Sequence, residues 1–380
     1  MSAQPLPPNA TIGIVGGGQL GRMSALAAAR LGYRCHILTP EPDSPAAQVS
    51  AGVTLGDYED PAALAAFAAC VDVITFEFEN VSAAGLEQLA AMRPVRPSPR
   101  VLQLSQDRVA EKTFLNGAGV PTAPWRQVDS EAALADAVAS LGLPAVLKTT
   151  RLGYDGKGQA MLRTPEDLAP AFARLAPHPL VLEGFVDFAC EISVVVARGI
   201  AGDIACFDVV ENRHRDHILD LTLAPARIPV ELAAEAQALA VRVAEALDLV
   251  GLLAVEMFVT SDGRVVVNEI APRPHNSGHW TIDACPASQF EMHIRAVAGL
   301  KLPPATRHSD AVMKNLVGEA ETALWPEILA TPALIPHLYG KAEARPGRKM
   351  GHVTRLFPRG ALPGDFGIEA ALGPHLAPKE

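Results

Sequence analysis

Between Ala254 and Glu269 the chain reads AVEMFVTSDGRVVVNE, two runs rich in β-branched residues separated by Asp262-Gly263. Asp-Gly in that setting signals a two-residue hairpin turn. A turn centred there sets Glu256 directly opposite Glu269 on the neighbouring strand. Opposed like charges weaken a sheet by an amount comparable to the ~0.2 to 1 kcal/mol that favourable cross-strand pairs contribute. A divalent cation between the acids reverses the sign. Hard Mg2+ takes carboxylate oxygens together with phosphate and water oxygens, so the pair is expected to form a metal platform for a bound nucleotide. Two acids splayed into solvent at a sheet edge is the alternative.

The rest of the chain suggests a parallel sheet domain followed by two others. From Thr11 to about Pro99 strands and helices alternate: strands at Thr11 to Val15, Arg34 to Leu38 and Val71 to Phe78, helices at Gln19 to Leu31 and Ala62 to Ala69. That order predicts a parallel, helix-covered sheet. Three prolines between Arg93 and Arg100 mark a crossing, and Lys301 to Pro304 a second break. The expected parts are an N-terminal extension over 1–10, a Rossmann-like α/β domain over 11–105, an α+β domain over 106–300 and a small C-terminal domain over 301–380. With 49% apolar and 19% charged residues in 380, disorder is excluded as the main state. A net charge of -10 argues against nucleic acid and anionic membranes as partners. No apolar run approaches the ~20 residues of a membrane helix, so a soluble, cytoplasmic protein is expected. The five cysteines are scattered, without metal-ligand spacing, and read as buried free thiols.

Five further segments carry possible chemistry. Gly16-Gly-Gly18-Gln19-Leu20-Gly21 lies between a strand and a helix, where free amides and the helix dipole favour a phosphate. A dinucleotide site, another phosphate-bearing ligand and a purely structural turn all fit, and Glu41 is a poorly placed candidate for a dinucleotide ribose. In Thr75-Phe-Glu77-Phe-Glu79-Asn80 a period of two sets the acids on one face. Lys148 ends a strand just before Arg151-Leu-Gly153-Tyr154-Asp155-Gly156-Lys157-Gly158-Gln159, whose glycines let the backbone approach a polyphosphate. Arg273-Pro-His275-Asn276-Ser277-Gly278-His279 concentrates donors suited to an anionic substrate. Arg345-Pro-Gly-Arg348-Lys349 is a basic turn, open to reading as an anion clamp or as a solvated loop.

Taken together, Gly16 to Met23, Thr75 to Val81, Gln106-Asp-Arg108 with Lys112, Gly119 to Thr122, Gly153 to Gln159, Asn268 to His279 and Gly347 to His352 resemble the ATP-grasp ligases. Within them the long runs are similar to the 5-(carboxyamino)imidazole ribonucleotide synthetases of purine biosynthesis. The resemblance implies an ATP-grasp fold behind a Rossmann-like, pre-ATP-grasp domain, and ATP- and bicarbonate-dependent carboxylation of aminoimidazole ribonucleotide through carboxyphosphate. It implies ATP and Mg2+ as cofactors and a homodimer. Arg108, Lys148 and Gly153 to Gln159 would meet the ATP phosphates, and Glu183, Gly184, Phe185 and Val186 the adenine. Glu191 would meet the ribose, His214 would line the nucleotide site, and Asn268 and Glu269, with Glu256, would serve the metal. Gly18, Gln19 and Leu20 would bind the ribonucleotide phosphate. Glu77, Asn276, Ser277, Lys341, Arg348 and Lys349 would surround the substrate, with Arg273, His275, Asp155 and Lys349 catalytic. Two rivals stay open: another ATP-grasp ligase or formyltransferase acting on a different small amine, and an NAD-dependent reductase. A catalytically silent nucleotide-binding module is a third.

Overall fold

The computed structural model describes residues 4–151, 158–373 and 376. Gly153, Tyr154, Asp155, Gly156 and Lys157 therefore lie outside the described residues. Near the N-terminus the strands Gly52–Leu55, Arg34–Thr39, Thr11–Val15 and Val73–Phe76 lie in that order, all parallel. The first strand in sequence sits between the second and the fourth, so the winding direction reverses beside it. A crevice opens at such a point outside the carboxyl ends of the strands. The glycine turn enters this crevice and leads into the helix Gln19–Arg30. Gly16 has a φ of 110°, and a Cβ there would collide with Glu77 and Phe78, so only glycine fits.

The last of these strands stops at Phe76, two residues short of the expected end. Glu77 and Glu79 consequently do not share a face. The Glu77 carboxylate accepts from the amides of Gly18 and Gly21, the latter at 2.8 Å, and so caps the positive end of the helix. Glu79 instead reaches Arg273. The proline-rich crossing still contributes to the sheet, because Val95 bridges to Ile74.

Two antiparallel sheets follow. The smaller runs Trp125–Val128, Leu180–Gly184, Ala145–Thr149, Gln159–Leu162. One face packs on the helices Glu131–Leu141 and Leu168–Leu175 through Leu134, Leu147, Leu175 and Leu182, leaving the alternate residues Lys148 and Glu183 for the other face. The larger sheet has at its centre Gly251–Thr260, Phe188–Arg198, Val210–Arg215 and Ile218–Ala224. Ser309–Val317, Lys349–Pro358 and Leu334–Leu338 extend that same sheet, so the strands after the second break continue the sheet of the middle region. The helix Val230–Ala246 covers one face and Gln289–Ala298 the other. His293 on the latter helix bonds through Nε2 to Thr75 Oγ1 at 2.9 Å, both buried, which ties the parallel sheet to this body.

The hairpin Gly251–Thr260/Val265–Ala271 pairs Glu256 with Glu269 as expected, by a different route. Its turn is one residue longer than the two-residue reading. Gly263 N donates to Thr260 O and Thr260 N to Arg264 O, each at 2.9 Å, with Gly263 at φ 81°. This is a three-residue loop ending in a left-handed glycine. Met257 then faces Val267 and Phe258 faces Val266, a register that would put Glu256 opposite Asn268. A bulge at Asn268 inserts one unpaired residue and restores Glu256 opposite Glu269.

Cysteine placement corrects one expectation. Cys35 and Cys285 are buried free thiols, Cys190 and Cys206 are half-buried, and Cys70 is exposed.

Candidate active site

A cleft of about 1160 Å³ lies between the two antiparallel sheets. Its floor is the bulged hairpin. Because a bulge breaks the strict alternation of a strand, the consecutive residues Asn268 and Glu269 both line the cleft beside Glu256. Arg108 Nη1 lies 3.1 Å from Glu269 Oε2, and His275 Nε2 lies 3.0 Å from Glu256 Oε1. Burial alone would raise the Glu256 carboxyl. The His275 ring with its hydrogen bond, and then His214 and Arg273, outweigh burial and hold it below the usual carboxylate range.

The opposite wall carries cations. Asp107 caps the helix Arg108–Gly117 by accepting from Val109 and Ala110, each at 3.0 Å. Positions 108, 111 and 112 then share one face, three and four residues apart. Lys112 and Lys148 share Glu183, at 3.4 Å and 2.9 Å. Burial lowers the Lys148 ammonium, with Glu183 opposing. The Glu183 carboxyl, which burial would raise, is drawn down by Lys148 and Lys112. Two ammoniums on one carboxylate leave net positive charge at this wall, where Lys148 lines the cleft and Lys112 lies buried behind it. Glu111 is pushed well above the usual carboxylate range by burial and by Glu269, so its neutral form is favoured. The sequence reading gave Glu111 and Lys112 no role, although the Asp107 cap and the spacing from Arg108 already placed them on one face.

Gly184, Phe185, Val186 and Gln159 line the cleft. Glu191 and His214 meet at its far end, 2.8 Å apart. The hydrogen bond and charge of Glu191 outweigh burial, which would lower His214, and raise it above its ordinary value. The donor-rich turn forms the other end. Arg273 is paired with Glu79 at 2.5 Å, and Asn276 exchanges two hydrogen bonds with Asn315, at 2.9 and 2.7 Å. Gln289 grips the backbone of His275, accepting from its N–H at 2.9 Å and donating to its carbonyl at 2.6 Å. Ser277 departs from its expected place. It is fully buried, does not line the cleft, and bonds to His275 Nδ1 at 2.8 Å, so it holds a neighbour instead of touching a ligand.

A smaller cavity of about 310 Å³ opens at the crevice of the parallel sheet, lined by Gly18, Gln19, Leu20, Glu77, Lys341 and Arg348. Phe78 lines both cavities. The amides of Gly18 and Gly21, expected to be open to a phosphate, are taken by Glu77. The cations of this cavity come from the C-terminal segment. Burial, then Arg348, lowers the Lys341 ammonium to about 8, and Lys341 Nζ donates to the carbonyl of Lys349 at 2.6 Å. Lys349 itself lines the large cleft. Elsewhere Asp283, His337 and His352 bring ligand-type atoms together. The two imidazoles stack at 4.4 Å and 15°, so their in-plane lone pairs run side by side instead of converging on an ion.

A lysine, Lys148, on one antiparallel sheet, acids on a second and a parallel-sheet domain ahead of both define the ATP-grasp class. Family models agree: a ribonucleotide synthetase preATP-grasp domain matches residues 9–106, an ATP-grasp domain 113–290, and a phosphoribosylaminoimidazole carboxylase C-terminal domain 311–360. The chain is 52% identical over 361 residues to the N5-carboxyaminoimidazole ribonucleotide synthase of Brucella melitensis, covering 94% of this chain and 99% of that one. It is 43% identical over 356 residues to the synthase of Bacillus subtilis, covering 93% of each. Among solved structures, the Staphylococcus aureus N5-carboxyaminoimidazole synthetase complexed with ADP superposes with a TM-score of 0.90 at 39% identity, over 94% of this chain and 95% of that one. The Aspergillus clavatus enzyme in complex with ADP and 5-aminoimidazole ribonucleotide superposes at 0.89 with 32% identity, over 97% and 98%. The chain belongs to the N5-carboxyaminoimidazole ribonucleotide synthase family, ATP-dependent ligases of purine biosynthesis. That membership removes the reductase and the silent binding module.

Proposed function

We propose that the two cavities hold the two halves of one reaction, ATP in the large cleft and aminoimidazole ribonucleotide in the small one, with the amine directed past Phe78. A bicarbonate oxygen attacks the γ-phosphorus of ATP and the bond to ADP breaks, giving carboxyphosphate. Carboxyphosphate separates into CO2 and phosphate, the phosphate keeping one bicarbonate oxygen. The substrate amine then captures CO2 and loses a proton. The observation that carries this reading is that the acidic pair Glu256 and Glu269 shares one cleft with the cations Lys148 and Arg108.

The donor set fits Mg2+: two carboxylates and an amide oxygen, all hard. Glu256, Glu269 and Asn268 would hold it, and when bound it would neutralise charge on the phosphate oxygens. Lys148 and Arg108 position the polyphosphate electrostatically. Gly184 to Val186 receive the adenine, and Glu191 and His214 the ribose. Arg273 and His275 hold bicarbonate and carboxyphosphate through N–H donors, with Asn276 and Lys349 beside them, and Asp155 completes the catalytic set by resemblance. Lys341 and Arg348 take the ribonucleotide phosphate near the positive end of the helix Gln19–Arg30. The same reading makes the enzyme a cytoplasmic homodimer, and sedimentation as a 40.0 kDa species would overturn the dimer.

Oxygen-18 bicarbonate tests the chemistry. Label is expected in the released phosphate only when ATP and aminoimidazole ribonucleotide are both supplied. Unlabelled phosphate, or equal turnover with formate and another ribonucleotide amine, sinks the reading.

A further inference from the structure

Behind His275 a line of buried polar side chains crosses three strands and the turn above them. Thr222 Oγ1 lies 3.1 Å from Asn212 Oδ1, Asn212 Nδ2 lies 2.9 Å from Ser193 Oγ, Ser193 Oγ lies 2.7 Å from Ser277 Oγ, and Ser277 Oγ lies 2.8 Å from His275 Nδ1. Thr222, Ser193 and Ser277 are fully buried and Asn212 is 5% exposed. Ser193 shares a strand face with the core residues Val195 and Ala197. Hydroxyls on such a face are costly unless bonded.

Each hydroxyl has one proton to give, so a chain of them runs in a single direction, and the two ends of this one agree on it. At the histidine end Nε2 faces the Glu256 carboxylate at 3.0 Å. A carboxylate oxygen at that distance accepts, so Nε2 carries the proton. The backbone N–H of Ser277 points at Nδ1 at 3.3 Å, so Nδ1 must offer its lone pair. Ser277 Oγ therefore donates to Nδ1 and accepts from Ser193, and Ser193 accepts from the Asn212 amide. At the far end Asn212 satisfies both demands, since its amide nitrogen gives to Ser193 while its oxygen takes the Thr222 hydroxyl. We infer that Thr222, Asn212, Ser193 and Ser277 are positioning residues that fix His275 in the tautomer with its proton on Nε2.

The consequence is that His275 presents a donor to the cleft, never a lone pair. This suits oxyanions of bicarbonate and carboxyphosphate and leaves proton removal from the amine to another group. The inference rests on the proposed function only for what the donor meets. The tautomer itself is readable in the free protein, so a failed oxygen-18 result and a failed tautomer result are separate events.

Nitrogen-15 NMR of the full chain with labelled histidine tests it, the His275 signals being identified by their loss in His275→Gln. The expected spectrum has a pyrrole-type Nε2 and a pyridine-type Nδ1. Asn212→Asp keeps the shape but replaces the donating amide by an acceptor. Ser193 must then give to residue 212, Ser277 to Ser193, and Nδ1 must gain a proton. A protonated Nδ1 appearing several bonds away from the substitution, with kcat down ~100-fold and the ATP KM within about twofold, supports the chain, because simple loosening of packing does not select a tautomer. Ser277→Ala, which removes the donor, is expected to give a mixture of tautomers and decides the matter should Asn212→Asp not fold. A native Nδ1–H, or an unchanged single Nε2–H tautomer in folded Asn212→Asp or in Ser277→Ala, overturns the inference.

Discussion

Lys341 offers a direct test of where the ribonucleotide phosphate sits. Burial and then Arg348 bring its ammonium down to about 8, within reach of ordinary assays. A depressed lysine loses its charge as pH rises through that value, so the protein is about nine-tenths charged at this position at pH 7 and about one-tenth charged at pH 9. The second ionisation of a phosphate monoester lies near 6 and adds little change above pH 7. If the charged ammonium is what holds the phosphate, affinity falls about tenfold between pH 7 and 9, or ~1.4 kcal/mol. Calorimetric titration with aminoimidazole ribonucleotide at pH 7, 8 and 9 measures it directly. Lys341→Arg keeps a charge over the whole range, so its affinity is expected to stay flat. Equal slopes for the native protein and Lys341→Arg would refute the assignment, whatever the absolute affinities.

Three further outcomes follow from the geometry. Glu269→Gln keeps the side-chain shape but removes one charge of the acidic pair, so kcat is expected to fall by ~10²-fold or more and the magnesium requirement to rise; near-normal rates at limiting magnesium contradict this. Lys148→Ala leaves Glu183 to Lys112 alone and removes a cation from the phosphate wall, so ATP KM is expected to rise and single-turnover ADP release to slow by ~10 to 100-fold, and an unchanged rate at low ATP excludes that role. Burial lowers His293 to about 4, so between pH 6.5 and 4 the unfolded chain takes up a proton that the folded chain refuses, and stability falls as pH falls through that window. The cost reaches ~2 kcal/mol at pH 5. His293→Gln is expected to lose about that much less than the native protein in urea unfolding between pH 7 and pH 5, and parallel losses would show that His293 is not the group responsible.

Much of the fold was legible because its signals are local. Gly16 marks a turn that tolerates no Cβ, Asp107 announces the helix that aligns Arg108 with Lys112, and the apolar alternation of Ala145–Thr149 turns Lys148 away from the core. What stayed hidden depends on contacts between distant segments. Glu77 and Glu79 look like a matched pair until the strand ends at Phe76, after which one caps a helix and the other pairs with Arg273. Ser277 sits in a donor-rich turn and reads as a ligand group, yet Ser193, 84 residues away, draws it inward. Nothing adjacent to Ser193, Asn212 or Thr222 in sequence indicates that they meet.

The acidic pair shows how a correct pairing can follow from an incomplete premise. A three-residue loop without the bulge would put Glu256 opposite Asn268, and Glu269, one position on, would turn to the other face of the sheet, since a one-residue slip inverts every side chain beyond it. A two-residue turn without the bulge pairs the acids but leaves Asn268 facing away from them. Only the longer loop combined with the bulge brings Glu256, Asn268 and Glu269 to one cleft, because two consecutive residues cannot share a face in a regular strand. The bulge is thus the feature that converts a pair of opposed charges into a three-residue oxygen donor set. Its sequence signature is the Asn-Glu dipeptide itself, in which a residue poor at forming strands sits where regular alternation calls for one that packs.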